Sequence, residues 1–375
     1  MDTFDDIRPF NDAEVQEAMS RLMQQPEFDL ALTMLFPEMD EHQWRPLLQS
    51  IKTVHDFQSK IIASVVLKIA EDTTAGLSIS GLEHLDTSKP YLFISNHRDI
   101  VLDSAFLNYL LFTSGFDTTQ IAIGSNLLKR PWIEDLVKLN KNFIVQRNIP
   151  ARQAYEYSLR LSQFIRHSFE KDLSSVWIAQ REGRTKDGFD KTQSGLLKML
   201  VMAWDDNPEA AFKHMPIVPV SISYEREPCA GLKARELYLK DKNGTYEKAL
   251  DEDLQSMQAG IMQQKGKIHF TCGKPLDEAL IHACFTDVTR NEGYRILAEK
   301  LDVFIQGNYR LSAFNYLAFD LLNESIQHAP NYTDADKSAF ERHFKEQCRF
   351  SDVEAEELRS WFLKLYGGPL LGQKL

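Results

Sequence analysis

Tyr91-Leu92-Phe93-Ile94-Ser95-Asn96-His97-Arg98-Asp99-Ile100-Val101-Leu102-Asp103 is the stretch whose reading decides the fold. Its first four residues are an aromatic and aliphatic run of the length of a buried strand. Beyond it, Ser104 to Phe112 reads as an apolar helix. A histidine and two acids therefore stand at a strand-to-helix junction. α/β folds commonly place chemistry there, because a rigid scaffold aims an exposed connecting loop. A polar Asn-His-Arg-Asp cluster in such a place is costly unless its groups are paired or wet. Taken alone the cluster also has a plain structural explanation, with Asp103 capping the helix after a solvated loop.

The chain has 375 residues, 43% hydrophobic and 26% charged, an ordinary globular composition with room for more than one structural unit. A formal net charge of -11 argues against non-specific nucleic-acid binding. Contact with an anionic membrane then falls to a local basic or apolar patch. No apolar run approaches the roughly 18 residues of a transmembrane helix. The acidic opening Met1–Asp6 lacks the charged-then-apolar pattern of a signal peptide. Cys229, Cys272, Cys284 and Cys348 are scattered without metal-ligand spacing, which fits reduced thiols in a cytoplasm.

Residues 1–74 read as a helical segment. Asn11-Asp12 suits a helix start, and Ile51, Val54, Phe57, Ile61, Val65 and Ile69 recur at helical spacing. That stripe favours packing onto the next domain over a membrane-surface role. Between 75 and 276 short apolar runs alternate with helical segments. Strands are expected at Leu77–Ser80, Tyr91–Ser95, Gln120–Ile123, Phe143–Gln146, Ser175–Ala179, Ile217–Ser223, Glu236–Leu239 and Lys267–Thr271. Helices are expected at Ser104–Phe112, Trp132–Leu139, Arg152–Glu170, Gly195–Trp204 and Tyr246–Met262. The alternation predicts one α/β domain around a mixed sheet. Strand signals stop in 277–375, which reads as a C-terminal helical appendage.

Several familiar signatures are missing: there is no G-x-S-x-G elbow, no G-x-G-x-x-G, no P-loop and no H-E-x-x-H. Asp334-Ala335-Asp336-Lys337-Ser338 opens like a calcium loop, but Ala339 stands where glycine is needed, so a helix start is the better reading. The His97 cluster is left as the best centre for acid–base work. Later segments support it. Gly124-Ser125-Asn126 follows a strand, and Phe143-Ile144-Val145-Gln146-Arg147 ends a strand on arginine. Val176 to Gly188 runs from a strand into a basic, glycine-punctuated loop containing Arg181, Glu182, Gly183 and Arg184. Pro216 to Tyr224 is a strand whose prolines suit an edge or a strand beginning. Arginines at strand ends suit phosphate, because a planar guanidinium makes paired hydrogen bonds to it.

Taken in order, these segments resemble the four sequence blocks of the glycerolipid acyltransferase family, which acylates glycerol-3-phosphate and lysophosphatidate. Asn96-His97 through Asp103 resembles the H-x4-D block. Gly124-Ser125-Asn126 to Arg147 is similar to the second block, Glu182-Gly183-Arg184 to the third, and Ile217-Val218-Pro219-Val220 to the fourth. Lys267 to Leu276, with Gly273-Lys274-Pro275, is similar to the family's closing strand and turn. The likeness covers about 75–276. Two departures stand out: five residues rather than four separate His97 from Asp103, and the third block lacks the spacer of E-G-x-R.

The resemblance implies an α/β, mixed-sheet acyltransferase domain flanked by N-terminal and C-terminal helical segments. It implies transfer of a fatty acyl group from acyl-CoA or acyl-carrier protein, as co-substrate, to a hydroxyl of 1-acylglycerol-3-phosphate or glycerol-3-phosphate. His97 would be general base, oriented by Asp103, with Asp99 as the alternative acid. Arg147 and Arg184 would hold the acceptor phosphate, with Glu182 and Gly183 shaping their loop. No metal and no cofactor are implied. The expected location is the cytoplasm, peripherally on the inner face of the cell membrane, with the Ile51–Ile69 stripe and Phe106–Phe112 as candidate lipid contacts. A lyso-aminolipid or other hydroxylated lipid acceptor is the nearest alternative. A non-catalytic, membrane-associated lipid-binding protein on the same scaffold is the alternative of another class.

Overall fold

A computed structural model describes residues 4–36, 41–249 and 251–373. Among the described residues seven strands form one sheet: β1 (Thr74–Ser80), β2 (Leu92–Ser95), β3 (Gln120–Gly124), β4 (Asn142–Val145), β5 (Val176–Ala179), β6 (Ile217–Tyr224) and β7 (Gly266–Cys272). Their order across the sheet is β1-β7-β6-β2-β5-β3-β4. Five strands, β6, β2, β5, β3 and β4, run parallel, and the antiparallel pairing of β7 with β6 reverses β7 and its parallel neighbour β1. The sheet is mixed, as the alternating texture predicts.

β2 takes the central place because its four residues are apolar or small and buried on both faces, as a covered parallel strand requires. One core lies between the sheet and the helices Ala151–Glu170, Ser194–Val201 and Arg290–Gly307. The other lies between the sheet and the helices Ala63–Thr73 and Leu102–Thr113. All five parallel strands therefore deliver their carboxyl ends to one edge of the sheet, and the loops that leave them meet there.

The sequence reading departs from the structure at particular places. Glu236–Leu239 is no strand but part of the helix Ala230–Asn243. Its Leu-Tyr-Leu run imitates a strand over four residues. Ala230 and Ala234, one turn apart, instead seat the helix against the C-terminal helix Ala355–Gly372. The helix expected from Tyr246 starts only at Glu252, and Pro208–His214 and Glu278–Phe285 are further helices beyond those expected. β6 is an inner strand despite its prolines. The Pro219 carbonyl accepts from Gly273 N–H (2.8 Å), so its missing N–H faces β7 just before the β6–β7 ladder begins at Val220.

Both proposed lipid contacts are inside. Ile51, Val54, Phe57, Ile61 and Ile69 are buried and Val65 half-buried; Phe106, Leu107, Leu110 and Leu111 are buried as well. From Ile51 to Val65 the stripe closes a core with the first helices and with Leu136 and Leu139, while Ile69 joins the core beside the sheet. The Asp334–Gln347 segment is a helix whose N-cap is Thr333, with Asp336 completing a capping box, so its acids belong to a helix start. The four cysteines are buried and unpaired.

Candidate active site

Asn96 ends β2 by extending it. Its side-chain oxygen accepts from Ile222 N–H (2.7 Å) and its amide donates to the Ile222 carbonyl (2.9 Å), mimicking one more rung of the ladder to β6. With Asn96 pinned, His97 is the first residue of the connecting loop. The loop turns back over the start of the next helix, so a residue six positions on can reach it. His97 Nδ1 lies 2.9 Å from Asp103 Oδ2. The extra residue relative to the family spacing is absorbed by the loop, because His97 is outside the helix.

Asp103 is fully buried, and every partner it has in hydrogen-bond range is a donor. Its Oδ2 also accepts from the N–H of Arg98 (2.6 Å) and Asp99 (3.0 Å), and its Oδ1 accepts from the Tyr224 hydroxyl (2.9 Å). A carboxylate so surrounded leaves the Nδ1 proton on the imidazole, and therefore a free lone pair on Nε2. The His97 side chain is 15% exposed, and it borders the large cavity described below. Trp177 of β5 meets it edge-on at 5.9 Å between ring centroids and donates its own N–H to Ser95 Oγ (3.0 Å).

Asp99 does the capping that Asp103 could have done. Its Oδ1 accepts from Val101 N–H and Leu102 N–H, both at 2.9 Å, at the start of the helix Leu102–Thr113. Its Oδ2 is buried without a partner, pressed against Gly260, where a Cβ would come within 2.2 Å of that oxygen. Burial, then the neighbouring Asp103 charge, push the Asp99 carboxyl above its ordinary value. With the folded-state value raised, the unfolded chain gives up its proton first as pH climbs above about 4, so this group's contribution to stability falls with rising pH. Asp99→Asn keeps an acceptor for the two N–H groups and removes the charge. Its melting temperature should gain on the wild type between pH 4 and pH 8, with turnover retained; a variant that instead loses ground as pH rises contradicts this.

The loop after β5 is locked onto the His97 loop: Gln180 N–H donates to the Ser95 carbonyl and Thr185 N–H to the His97 carbonyl, both at 2.8 Å. Gly183 takes φ +72°, a left-handed turn open to glycine, and so turns the chain between Glu182 and Arg184. Arg184 is 8% exposed, and its buried Nη1 has no protein partner. Arg147, at the end of β4, pairs with Glu182 at 2.7 Å. The missing spacer of the third block does not keep Arg184 out of the site.

Beneath the loop, Arg98 is fully buried between Asp190 and Glu227 and stacks on Tyr309 at 5.0 Å; Lys233 donates to Glu227 (2.6 Å) and to the Arg98 carbonyl (2.7 Å). Breaking such a buried ionic cluster on one side typically costs about 3–5 kcal/mol. It holds the back of the His97 loop to segments 190, 227–233 and 309, far apart in sequence.

A cavity of about 1230 Å³ runs along this edge. Its lining includes the charged or polar His97, Arg147, Arg181, Glu182, Arg184 and Lys186 and the apolar Ile61, Val65, Ile69, Trp132, Ile133, Leu254, Met257 and Ile261. The structure places His97, Arg147, Glu182, Gly183 and Arg184 along this one cavity, with Asp103 behind His97. The sequence reading assigned no site role to Arg181, Lys186, Trp177 or Tyr224. Arg181 and Lys186 could have been taken from the basic loop, whereas nothing local in β6 marks Tyr224.

The site thus sets a strand-end histidine, held by a buried aspartate, at a cavity lined by both arginines and apolar side chains, an arrangement able to move a proton beside an anionic, apolar ligand. Residues 76–223 match the family model described as Acyltransferase. Among solved structures it is similar to the 1-acyl-sn-glycerophosphate (LPA) acyltransferase PlsC of Thermotoga maritima, at 12% identity and a TM-score of 0.37, covering 78% of this chain and 95% of that one. Comparison with curated protein sequences gives no match.

Proposed function

We propose that the protein transfers a fatty acyl group from an acyl thioester to a hydroxyl of a phosphorylated glycerol lipid precursor, 1-acylglycerol-3-phosphate or glycerol-3-phosphate. The observation that carries this reading is the His97–Asp103 pair beside a nine-tenths-buried arginine, Arg184, whose Nη1 has no partner within the protein. Leaving a buried guanidinium N–H unmatched costs about 1–3 kcal/mol or more, which an anionic group of the acceptor would recover.

In the reaction His97 Nε2 takes the proton of the acceptor hydroxyl as its oxygen bonds to the thioester carbonyl carbon. Asp103 holds the tautomer and stabilises the imidazolium that forms. On collapse the C–S bond breaks, and the imidazolium returns the proton to the departing thiolate. The acceptor oxygen is the nucleophile, so no acyl-enzyme is required. Arg184 and Arg147 bind the phosphate, with Arg147 exchanging its Glu182 contact for it, and the apolar part of the cavity takes the acyl chain.

Purified protein given acyl-CoA and lysophosphatidate should release free thiol and form phosphatidate. Arg184→Ala should raise the acceptor KM by roughly 10-fold or more, the scale of one lost charged hydrogen bond, and leave the donor KM nearly unchanged. A change confined to the donor KM would move Arg184 to the thioester side. Turnover of a lyso-aminolipid in preference to lysophosphatidate would favour the phosphate-free acceptor, and no thiol release with either would favour a binding role.

Membrane contact belongs to this proposal. No helix among the described residues is long and apolar enough to cross a bilayer. Leu30, Met34 and Met262, 60%, 58% and 60% exposed, border the same cavity and form an apolar rim suited to a lipid surface. Vesicles containing anionic phospholipid should float the protein, and replacing Leu30 and Met34 by Glu should leave it at the bottom. Flotation untouched by those changes would place the contact elsewhere.

A further inference from the structure

We infer that Tyr224, at the end of β6, is a positioning residue for the reaction, acting through its hydroxyl on Asp103. This rests on the proposed role of His97 and Asp103. β6 runs beside β2, and the Asn96–Ile222 rung fixes the two strands against each other just where β2 gives way to the His97 loop. Two residues along β6, a tyrosine is long enough to reach over the loop. Its hydroxyl donates to Asp103 Oδ1 at 2.9 Å, the oxygen that His97 does not use. Asp103 thus has one oxygen for the imidazole and the loop N–H groups, and the other fastened to the sheet.

The tyrosine is itself held. It is fully buried, and its carbonyl accepts from the Tyr309 hydroxyl at 3.2 Å. Burial, then the carboxylates of Asp103 and Asp99 and more distantly Glu227, raise its ionisation well above the ordinary tyrosine value, so it stays a donor throughout the working pH range. The aspartate side chain has one freedom that matters here, rotation about its carboxyl bond. A donor on Oδ1 fixes that rotation and spreads the negative charge over two oxygens. Without it the carboxylate is less firmly set for catalysis, and the charge left on Oδ2, still held beside Nδ1 by the Arg98 and Asp99 N–H groups, bears more heavily on the imidazolium.

Tyr224→Phe keeps the ring and removes the donor. We expect kcat to fall about 10-fold or more, as for one lost hydrogen bond to a charged group, with both KM values little changed. The acid limb of the pH–rate profile should move to higher pH, because a carboxylate with fewer donors holds the proton on His97 more strongly. In an Asp103→Asn background the same change should cost nothing further. An unmoved acid limb, or an equal loss of kcat in both backgrounds, overturns the inference. If the phenylalanine variant does not fold, 3-fluorotyrosine at 224 keeps the shape and strengthens the donor, and the limb should then move to lower pH; no movement is again refuting. Should His97→Ala and Asp103→Asn themselves retain turnover, the reaction proposed for this site fails, and the role of Tyr224 falls with it.

Discussion

His97→Ala should fold normally and lose turnover by about 100-fold at least, the lower end of what general-base catalysis supplies. The ring is 15% exposed and packs edge-on against Trp177, so its removal opens a small space at the cavity wall, not a void in either main core. Asp103 keeps three donors, the N–H groups of Arg98 and Asp99 and the Tyr224 hydroxyl, so its buried charge is not stranded. The loop keeps its ties through Asn96, Arg98 and Thr185 N–H. The loss should therefore fall on kcat, with the melting temperature close to that of the parent. Steady-state thiol release with acyl-CoA and lysophosphatidate, beside a thermal melt, measures both. Turnover within a few-fold of the parent in a folded variant would remove His97 from the chemistry.

Asp103→Asn should be nearly as damaging, for a different reason. An amide nitrogen facing Nδ1 would donate to it, moving the imidazole proton to Nε2 and removing the lone pair that accepts the acceptor's proton. Wrong-tautomer variants of His–Asp pairs lose about 10⁴ in turnover, and a loss of that order is expected here. A carboxamide also cannot accept everywhere the carboxylate does. Facing the Arg98 and Asp99 N–H groups or the Tyr224 hydroxyl, it leaves at least one buried contact mismatched, at about 1–3 kcal/mol of stability. The helix start itself should survive, because Asp99 is the residue that caps it. The contrast with Asp99→Asn is the decisive measurement: a severe turnover defect at 99 with an active variant at 103 would reverse the two roles.

The sequence by itself determined what depends on short-range pattern. Leu92–Ser95 had to be a covered strand because it offers no polar face. Arg147 and the Arg181–Arg184 loop stood out because charges following apolar runs fall where a parallel strand ends. The first three blocks place their polar residues at such ends, whereas Ile217–Val220 is apolar and opens β6. The apolar stripe from Ile51 to Ile69 was legible as a buried helix face for the same reason of period. Local pattern misled where a few residues satisfied two periods at once, as at Glu236–Leu239, which became helical when Ala230 and Ala234 packed on the C-terminal helix.

Tertiary structure alone decided which acid pairs with His97. Asp99 and Asp103 are both near in sequence and both suited to capping, and the choice rests on how the loop folds back over the helix start. That fold-back is held by the buried Arg98 cluster with Asp190, Glu227 and Lys233, whose members come from three separate segments. Tyr224 belongs to the same class of fact. Its 121-residue separation from Asp103 is closed only by the pairing of β6 with β2. The apolar wall of the cavity is likewise assembled from the Ala63–Thr73, Pro131–Leu139 and Glu252–Met262 helices. Hydrogen bonds and burial between distant segments act over a few ångströms in space, a proximity that spacing along the chain does not encode.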